Sequence, residues 1–552
     1  MSGIIRRWVD GHPYGALVFL TLAVLCPLLA KPFNVDDPLF IWAAQQIEAH
    51  PGNPYGFEVN WYGTPQPMWT ITQNPPGACY FLALAGALVG WGEIGQHGAL
   101  LLPAIAAILG TWRLARHLCG QPLLAATITL CTPVFLVSAN TVMCDVMMLA
   151  CWVWAAVFWV EGFQTGSARK LPVAGCLIAL AALTKYYGIC LVPLLAAYAV
   201  ISHKPVKRWL PFLLLPLAIL GAYEYAMVAG YGSGLQGAVQ YVRHHSTFDG
   251  SSKIDGTICG LAFAGGGLAA VTFFASLLWH RRSLFALTAV MGLIFLLLWF
   301  YTGFWGKYDI AAGPVLIRAK MQMAFWMTAG LGILALAAAD TWQRRDANST
   351  LLLLWVLGTF SFASFCNWTV NGRSILPMVP AVAILIVRRL ELKSKRRPKA
   401  IWLATALCLM FAFLVACADF SGAAAVRRST EDVLEKYAQS SRGVWFQGHW
   451  GFQYYMNAAG AAAVDFNEAK RSGIPGEVIV IPEQNTNIRL PSATNAVLLD
   501  VFKVAVPARV AVWSRTLGAG FYDAGYGPLP FAFGTLPPET VFVYSPVPAL
   551  IK

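Results

Sequence analysis

The chain has 552 residues, 58% of them hydrophobic and only 12% charged, with a mean hydropathy of +0.59. A soluble protein of this size carries about twice that charge fraction, so a soluble globular chain is excluded. The formal net charge of +13 does not indicate a nucleic-acid partner, because the basic residues gather in short clusters between alternate apolar runs.

Apolar runs of roughly 17–25 residues, the length that crosses a bilayer, recur over most of the chain. In chain order, spans are predicted near 14–31, 97–117, 122–140, 147–162, 171–186, 187–202 and 209–228. Further spans follow near 259–279, 284–304, 320–340, 350–368, 374–388 and 400–418, thirteen in all. With the amino end inside and the carboxyl end outside, every basic cluster falls on the cytoplasmic side. The clusters are Arg6 and Arg7; Arg113 and Arg116; Arg169 and Lys170; Lys204, Lys207 and Arg208; Arg281 and Arg282; Arg344 and Arg345; and "RRLELKSKRRPK" from Arg388 to Lys399. Residues 1–31 have the look of a signal peptide, but the many later spans favour an uncleaved first helix.

Two long segments are expected outside the membrane. The first, 32–96, holds "FNVDDPLFIW", a turn-rich stretch and the apolar "NPPGACYFLALAGALVGW". Counting this last piece as a span would invert all later loops, so a helix lying at or dipping into the outer surface is predicted. The second is the tail, 419–552, expected as a separate α/β domain beyond a membrane domain of residues 1–418. "STEDVLEKYAQS" reads as an amphipathic helix capped by Ser429 or Thr430. "GEVIVIP", "NAVLLDVFKVAV" and "ETVFVYSP" read as strands. No cysteine follows Cys417, so the tail is expected to hold together without disulfides.

No ionisable residue is expected mid-membrane, which disfavours an ion-coupled transporter. The charged groups gather instead at the outer helix ends: Asp36, Asp37, Asp145, Lys185, Lys307, Arg318, Lys320 and Arg373, with Arg243, His244 and His245. Carboxylates and cations in one rim suit a reaction on an anionic, membrane-anchored substrate, a lipid phosphate above all. Several of these residues also have a plainer explanation, which does not extend to Asp36. Asp37 before Pro38 makes a good helix cap, where asparagine would serve as well. Asp145 could cap a loop, and Lys185 and Arg373 could reach up to the headgroups. "RHHSTFDG" lacks firm metal-ligand spacing. The aromatics of "VWFQGHWGFQYY" read as interface anchors or small-domain core.

The motifs "VDDPLFIWAAQQI" and "TQNPPGACYFLALAGALVGWGEIGQH", supported by "NTVMCDVMM", "ALTKYYG" and "NGRSILPMVPAVAIL", resemble the membrane-integral C-type glycosyltransferases. The resemblance is to the group of protein O-mannosyltransferases, lipid A aminoarabinose transferases and rhizobial core galacturonosyltransferases, over most of residues 14–390. It implies an inverting transfer of sugar from a polyprenyl-phosphate carrier to a lipid, glycan or protein acceptor, at the outer face of the plasma (inner) membrane. The first acid of the outer-loop pair, Asp36, would then be the general base. Asp37 would be the second catalytic acid of the pair, where the group more often has glutamate. Arg373 and Lys185 would hold the donor phosphate, and Asp145 would position the acceptor or help to hold a divalent metal. A lipid or solute transporter and a non-catalytic envelope scaffold are the alternatives.

Overall fold

The computed structural model describes residues 11–72, 74–167, 169–234, 237, 239–240, 253–393, 398–437, 443–467, 477–491 and 496–546. Arg6, Arg7, Arg243, His244, His245 and the rest of "RHHSTFDG" lie outside these residues.

The chain is a multi-pass membrane protein, and it opens with α1 (Pro13–Leu25). The first loop holds α2 (Asp37–Ala49), the antiparallel pair β1 (Glu58–Asn60) and β2 (Pro65–Pro67), and α3 (Gly77–Val89). Helix α3 has 13 residues, a rise of about 20 Å. Then come α4 (Glu93–Leu118), α5 (Pro122–Leu130), α6 (Pro133–Ala139), α7 (Asp145–Thr165), α8 (Lys170–Thr184), α9 (Leu191–Ile201) and α10 (Val206–Tyr231). After these follow α11 (Lys253–Gly267), α12 (Arg281–Phe300), α13 (Pro314–Arg344), α14 (Ala347–Ser361), α15 (Val379–Glu391) and α16 (Pro398–Tyr437). Helical segments thus cover each stretch expected to span. Among the described residues seven helices are long and apolar enough to cross a membrane, or eight if α5 and α6 form one broken span. These two meet at 63° because Pro133, at the start of α6, cannot continue the preceding helix.

The two ends of the helical body differ in charge. At one end Glu93, in the first turn of α4, accepts from Arg427 (3.1 Å) and Tyr455 (3.0 Å), which joins the first loop to the tail. At the other end of α4, Arg113 and His117 converge on Glu161 with Lys170 (2.5, 2.9 and 2.8 Å). Arg388 is expected to face the cytoplasm but is only 1% exposed, because Asp340 holds it at 2.9 Å. The basic clusters are therefore partly stitched together by buried acids. Glu224 is a further acid inside an expected span, at 209–228, where it accepts from the Tyr186 hydroxyl at 2.6 Å.

Helix α16 runs for 40 residues, about 60 Å, far beyond the roughly 30 Å of a hydrocarbon core. It passes unbroken through residues 418 and 419, since no proline interrupts it. Ser429 and Thr430 accordingly cap nothing: both lie inside the helix, and their hydroxyls donate back to the Val426 carbonyl at 2.9 Å. The end of α16 packs on a five-stranded sheet. Its strands are β3 (Val444–Phe446), β4 (Ala462–Ala463), β5 (Val478–Pro482), β6 (Ala496–Val504) and β7 (Glu539–Pro546), with α17 (Trp450–Ala458) between β3 and β4. The order is β4-β3-β5-β7-β6; β3 runs parallel to β4 and β5, and β7 antiparallel to β5 and β6. Val433, Phe446, Phe452, Met456, Val480 and Val541 fill its core. The expected strands lie within one residue or two of β5, β6 and β7.

Candidate active site

The opening of α2 separates its two aspartates. Asp36 occupies the cap position with no side-chain bond to the helix, and Asp37 is the first helical residue. The expectation that Asp37 caps is therefore corrected. Its carboxylate is fully buried and accepts from two backbone N–H groups, the distant Val142 at 2.7 Å and Asn34, three residues earlier, at 2.9 Å. It pins the loop before α2 to the turn before α7. Burial pushes Asp37 up to about 7, against the pull of Lys31. Asp36, by contrast, is 29% exposed and meets Arg373 Nη2 at 2.9 Å.

Arg373 is presented by a short helix, Gly372–Ile375, whose cap Asn371 accepts from the Ser374 N–H at 2.8 Å. Its guanidinium lies 5.8 Å from the ring centre of Tyr522. Burial opposes its charge, but the carboxylates of Asp36 and Asp145 outweigh burial and push its pKa up. Lys185 ends α8 and donates to Asp145 Oδ1 at 2.6 Å. Asp145 is fully buried, with Oδ2 unpartnered among the described residues. It stands behind Lys185 as its counter-charge and is not on the cavity wall.

Asp36, Arg373 and Lys185 share the wall of one cavity of about 600 Å³. Lys307 and Lys320 are held elsewhere, by Asp255 (2.5 Å) and by the Trp299 carbonyl (3.3 Å). The first loop contributes Val35, Trp61 and Tyr62; the tail contributes His449, Trp450, Trp513, Tyr522, Asp523 and Tyr526. Here the expectation for the tail aromatics is corrected in part. Phe446 and Phe452 are sheet core, but Trp450 is cavity wall. His449 stacks on Trp61 (4.8 Å between centres), donates from Nδ1 to the Trp61 carbonyl at 2.7 Å and accepts at Nε2 from Thr486 at 2.8 Å. Burial drives its pKa down to about 4, so the ring is neutral.

Below the wall, Lys31 is completely buried and donates to Asp419 at 2.5 Å and to the Asn140 carbonyl at 2.9 Å. The Tyr522 hydroxyl donates to the same Asp419 oxygen at 2.9 Å. Lys31, Asp419, Tyr522 and Asp523 escape sequence reasoning; the one signal for the last two is the glycine-rich "GAGFYDAGYGP" around them. Backbone strain also converges here. Five non-glycine residues have positive φ among the described residues, and three of them, Val35 (+48°), Trp450 (+65°) and Asn487 (+55°), line this cavity. Such conformations cost about 1–3 kcal/mol each and cluster at functional sites. Val35, β-branched and next to Asp36, is the most unfavourable of the three. Among the described residues no group of three or more His, Cys, Asp or Glu stands together as a metal site. Asp36 and Asp145 each face one of the chain's own cations instead, which fits a divalent ion poorly.

Residues 73–223 match the family described as dolichyl-phosphate-mannose-protein mannosyltransferase. No curated protein sequence matches the chain. Among solved structures, the oligosaccharyltransferase of Archaeoglobus fulgidus with a tethered acceptor peptide aligns at 14% identity and a TM-score of 0.47, over 83% of this chain. The chain spans 64% of that protein's length. ArnT from Cupriavidus metallidurans bound to undecaprenyl phosphate aligns at 14% identity and a TM-score of 0.43, over 85% of this chain and 92% of that one. The mycobacterial arabinofuranosyltransferase AftD aligns at 15% identity and 0.40, over 99% of this chain and 40% of that one. The resemblance is to membrane C-type glycosyltransferases. Asp145 and Lys185 fall inside the matched segment; Asp36 and Arg373 fall outside it.

Proposed function

We propose, from the family match over residues 73–223, that the chain is an inverting glycosyltransferase that moves a sugar from a polyprenyl-phosphate carrier to a cell-envelope acceptor. The observation that carries this reading is the meeting of Asp36 with Arg373 at 2.9 Å in a cavity that Lys185 also lines. An acid and two cations in one pocket are what the reaction needs at its two ends.

The donor phosphate pairs with Arg373 and Lys185 through charge-assisted hydrogen bonds. Arg373 thereby exchanges Asp36 for phosphate, and the carboxylate becomes available to the acceptor hydroxyl. Asp36 takes the hydroxyl proton while the acceptor oxygen bonds to C1 of the sugar. The bond from C1 to the phosphate oxygen breaks on the opposite side, inverting the centre. Polyprenyl phosphate departs with its charge met by the two cations. A positioned base of this kind contributes about 10²–10⁴-fold. Asp145 keeps Lys185 aimed, which is a positioning role.

For topology, we infer that thirteen helical segments cross the plasma membrane in a domain of residues 1–418, with an α/β domain in the tail, 419 to 552, joined to it through the unbroken α16. The amino end is cytoplasmic, and the first loop and tail are outside. The opposite placement of the basic clusters and of the loop–tail contact supports this. The test is to give the purified full chain, in liposomes, a panel of polyprenyl-phosphate sugars with an envelope extract as acceptor. Release of polyprenyl phosphate that depends on Asp36 is expected. Equal release by Asp36→Asn, or none with any sugar, overturns the reading.

A further inference from the structure

We propose that the tail-side wall of the cavity is a subsite for a neutral sugar ring, so that the acceptor is a glycan rather than a peptide or a hydrocarbon. This deepens the glycosyltransferase reading and rests on it.

Three observations converge. The first is the aromatic surface. Trp513 and Tyr526 stack face to face, with centres 3.8 Å apart and planes 10° apart, and Arg515 lies 4.8 Å from the Tyr526 ring centre. Trp450 meets Trp513 at 5.2 Å and 87°, and Tyr526 at 6.2 Å and 78°. These crossed contacts fix the plane of a half-buried indole on the cavity wall. The face of an aromatic ring is electronegative and attracts the polarised C–H groups on one side of a sugar ring.

The second is Asp523, three residues before Tyr526. Thr369 Oγ1 and the Gly525 N–H donate to its Oδ1, at 2.6 and 2.7 Å. No described residue bonds Oδ2, and the residue lines the cavity. A carboxylate anchored through one oxygen, with the other presented beside an aromatic wall, suits hydroxyl donors. A hydrocarbon acceptor would leave it desolvated and unpaired. Burial holds Asp523 above the usual carboxylate range, and Asp36 nearby adds to this. With Arg373 and Lys185 taken up by the donor phosphate in the proposed reaction, Asp36 and Asp523 facing the same volume would repel a uronate, so the sugar is neutral.

The third is the backbone. Trp450 and Asn487 both hold left-handed conformations on this wall. No contact in the sheet core requires the strain at Trp450, because its side chain packs toward the cavity and away from Phe446 and Phe452. The two residues set an indole and an amide on one cavity wall, which is the pairing of stacking and hydrogen bonding a sugar needs.

The test uses the detergent-solubilised full chain, with intrinsic tryptophan fluorescence and saturation-transfer NMR as readouts. The probes are methyl α- and β-hexosides, the matching uronates, a threonine-containing peptide and dodecanol, with undecaprenyl phosphate titrated separately. Neutral hexosides should bind and outcompete uronates, and Asp523→Asn should weaken them at least tenfold while leaving undecaprenyl phosphate binding intact. Asn487→Ala, at an exposed position, should weaken them several-fold even if the aspartate variant proves unstable. Three results would overturn the subsite with the parent reading left standing: undecaprenyl phosphate binding without any hexoside binding, stronger binding of peptide or dodecanol, or unchanged hexoside affinity in both variants. Hexoside binding without undecaprenyl phosphate binding would overturn the acceptor assignment and the parent reading together.

Discussion

Replacing the adjacent aspartates by asparagine, one at a time, should separate chemistry from architecture. The Asp37 carboxylate offers an oxygen to each of two backbone N–H groups, the buried Val142 at 2.7 Å and the half-buried Asn34 at 2.9 Å. An amide has one acceptor oxygen, so Asp37→Asn sets an NH₂ group against one of these donors. A buried donor left unsatisfied costs about 1–3 kcal/mol, and bonds to charged acceptors lie toward the upper end. A loss of about 2–3 kcal/mol is therefore expected, although a simple cap would have tolerated asparagine. Asp36 is partly exposed and its partner Arg373 can still donate to an amide oxygen. Asp36→Asn should change stability by less than about 1 kcal/mol but lower turnover by about 10²–10⁴-fold. The assay is the thermal midpoint of each variant in detergent, beside its rate of sugar transfer. Near-normal turnover in the Asp36 variant, or lost transfer at an unchanged midpoint in the Asp37 variant, would refute the division of roles.

Acid should loosen the tail through His449. Its folded pKa of about 4 lies below the ordinary 6.5, so its contribution is complete above pH 6.5 and is lost as pH falls toward 4. Between pH 7 and pH 5 this amounts to about 2 kcal/mol, and the midpoint of His449→Gln should vary less with pH than that of the unaltered chain; parallel profiles would refute it. Arg373→Ala should weaken donor binding by about 10- to 100-fold and Arg373→Lys by much less, measured by titration with undecaprenyl phosphate. Unchanged affinity in the alanine variant would leave Arg373 as a headgroup contact. Cysteines at Glu58→Cys and Lys204→Cys should label from opposite sides of a sealed vesicle with an impermeant thiol reagent, and labelling from one side would invert the first loop.

What was legible in the sequence was local. Hydropathy located the helices, alternation located β5, β6 and β7, and a paired acid before a proline marked the start of α2. Arg373 and Lys185 stood out as cations at helix ends. The rest depends on contacts between distant parts of the chain. Lys31 reads as an ordinary flanking lysine, and only packing brings it to Asp419 and to Tyr522, 491 residues away. Ser429 and Thr430 followed by acids read as a helix start, because nothing local reveals that α16 is already under way. Trp450 resembled an interface anchor until its backbone conformation turned it to the cavity.

The pairing of Lys31 with Asp419 also bears on how the protein is made. The two residues are 388 positions apart, and a chain lengthens at about 5–20 residues per second, so Lys31 precedes its counter-charge by about 20–80 s. Throughout that interval a lysine meant for complete burial lacks the acid it bonds in the folded protein, with only Asp37 nearby in the chain. The loop that carries Asp36 follows Lys31 by a few residues and cannot seat before it. On the proposed function, a nascent chain would therefore hold Asp36 away from Arg373 and Lys185 until α16 had been added.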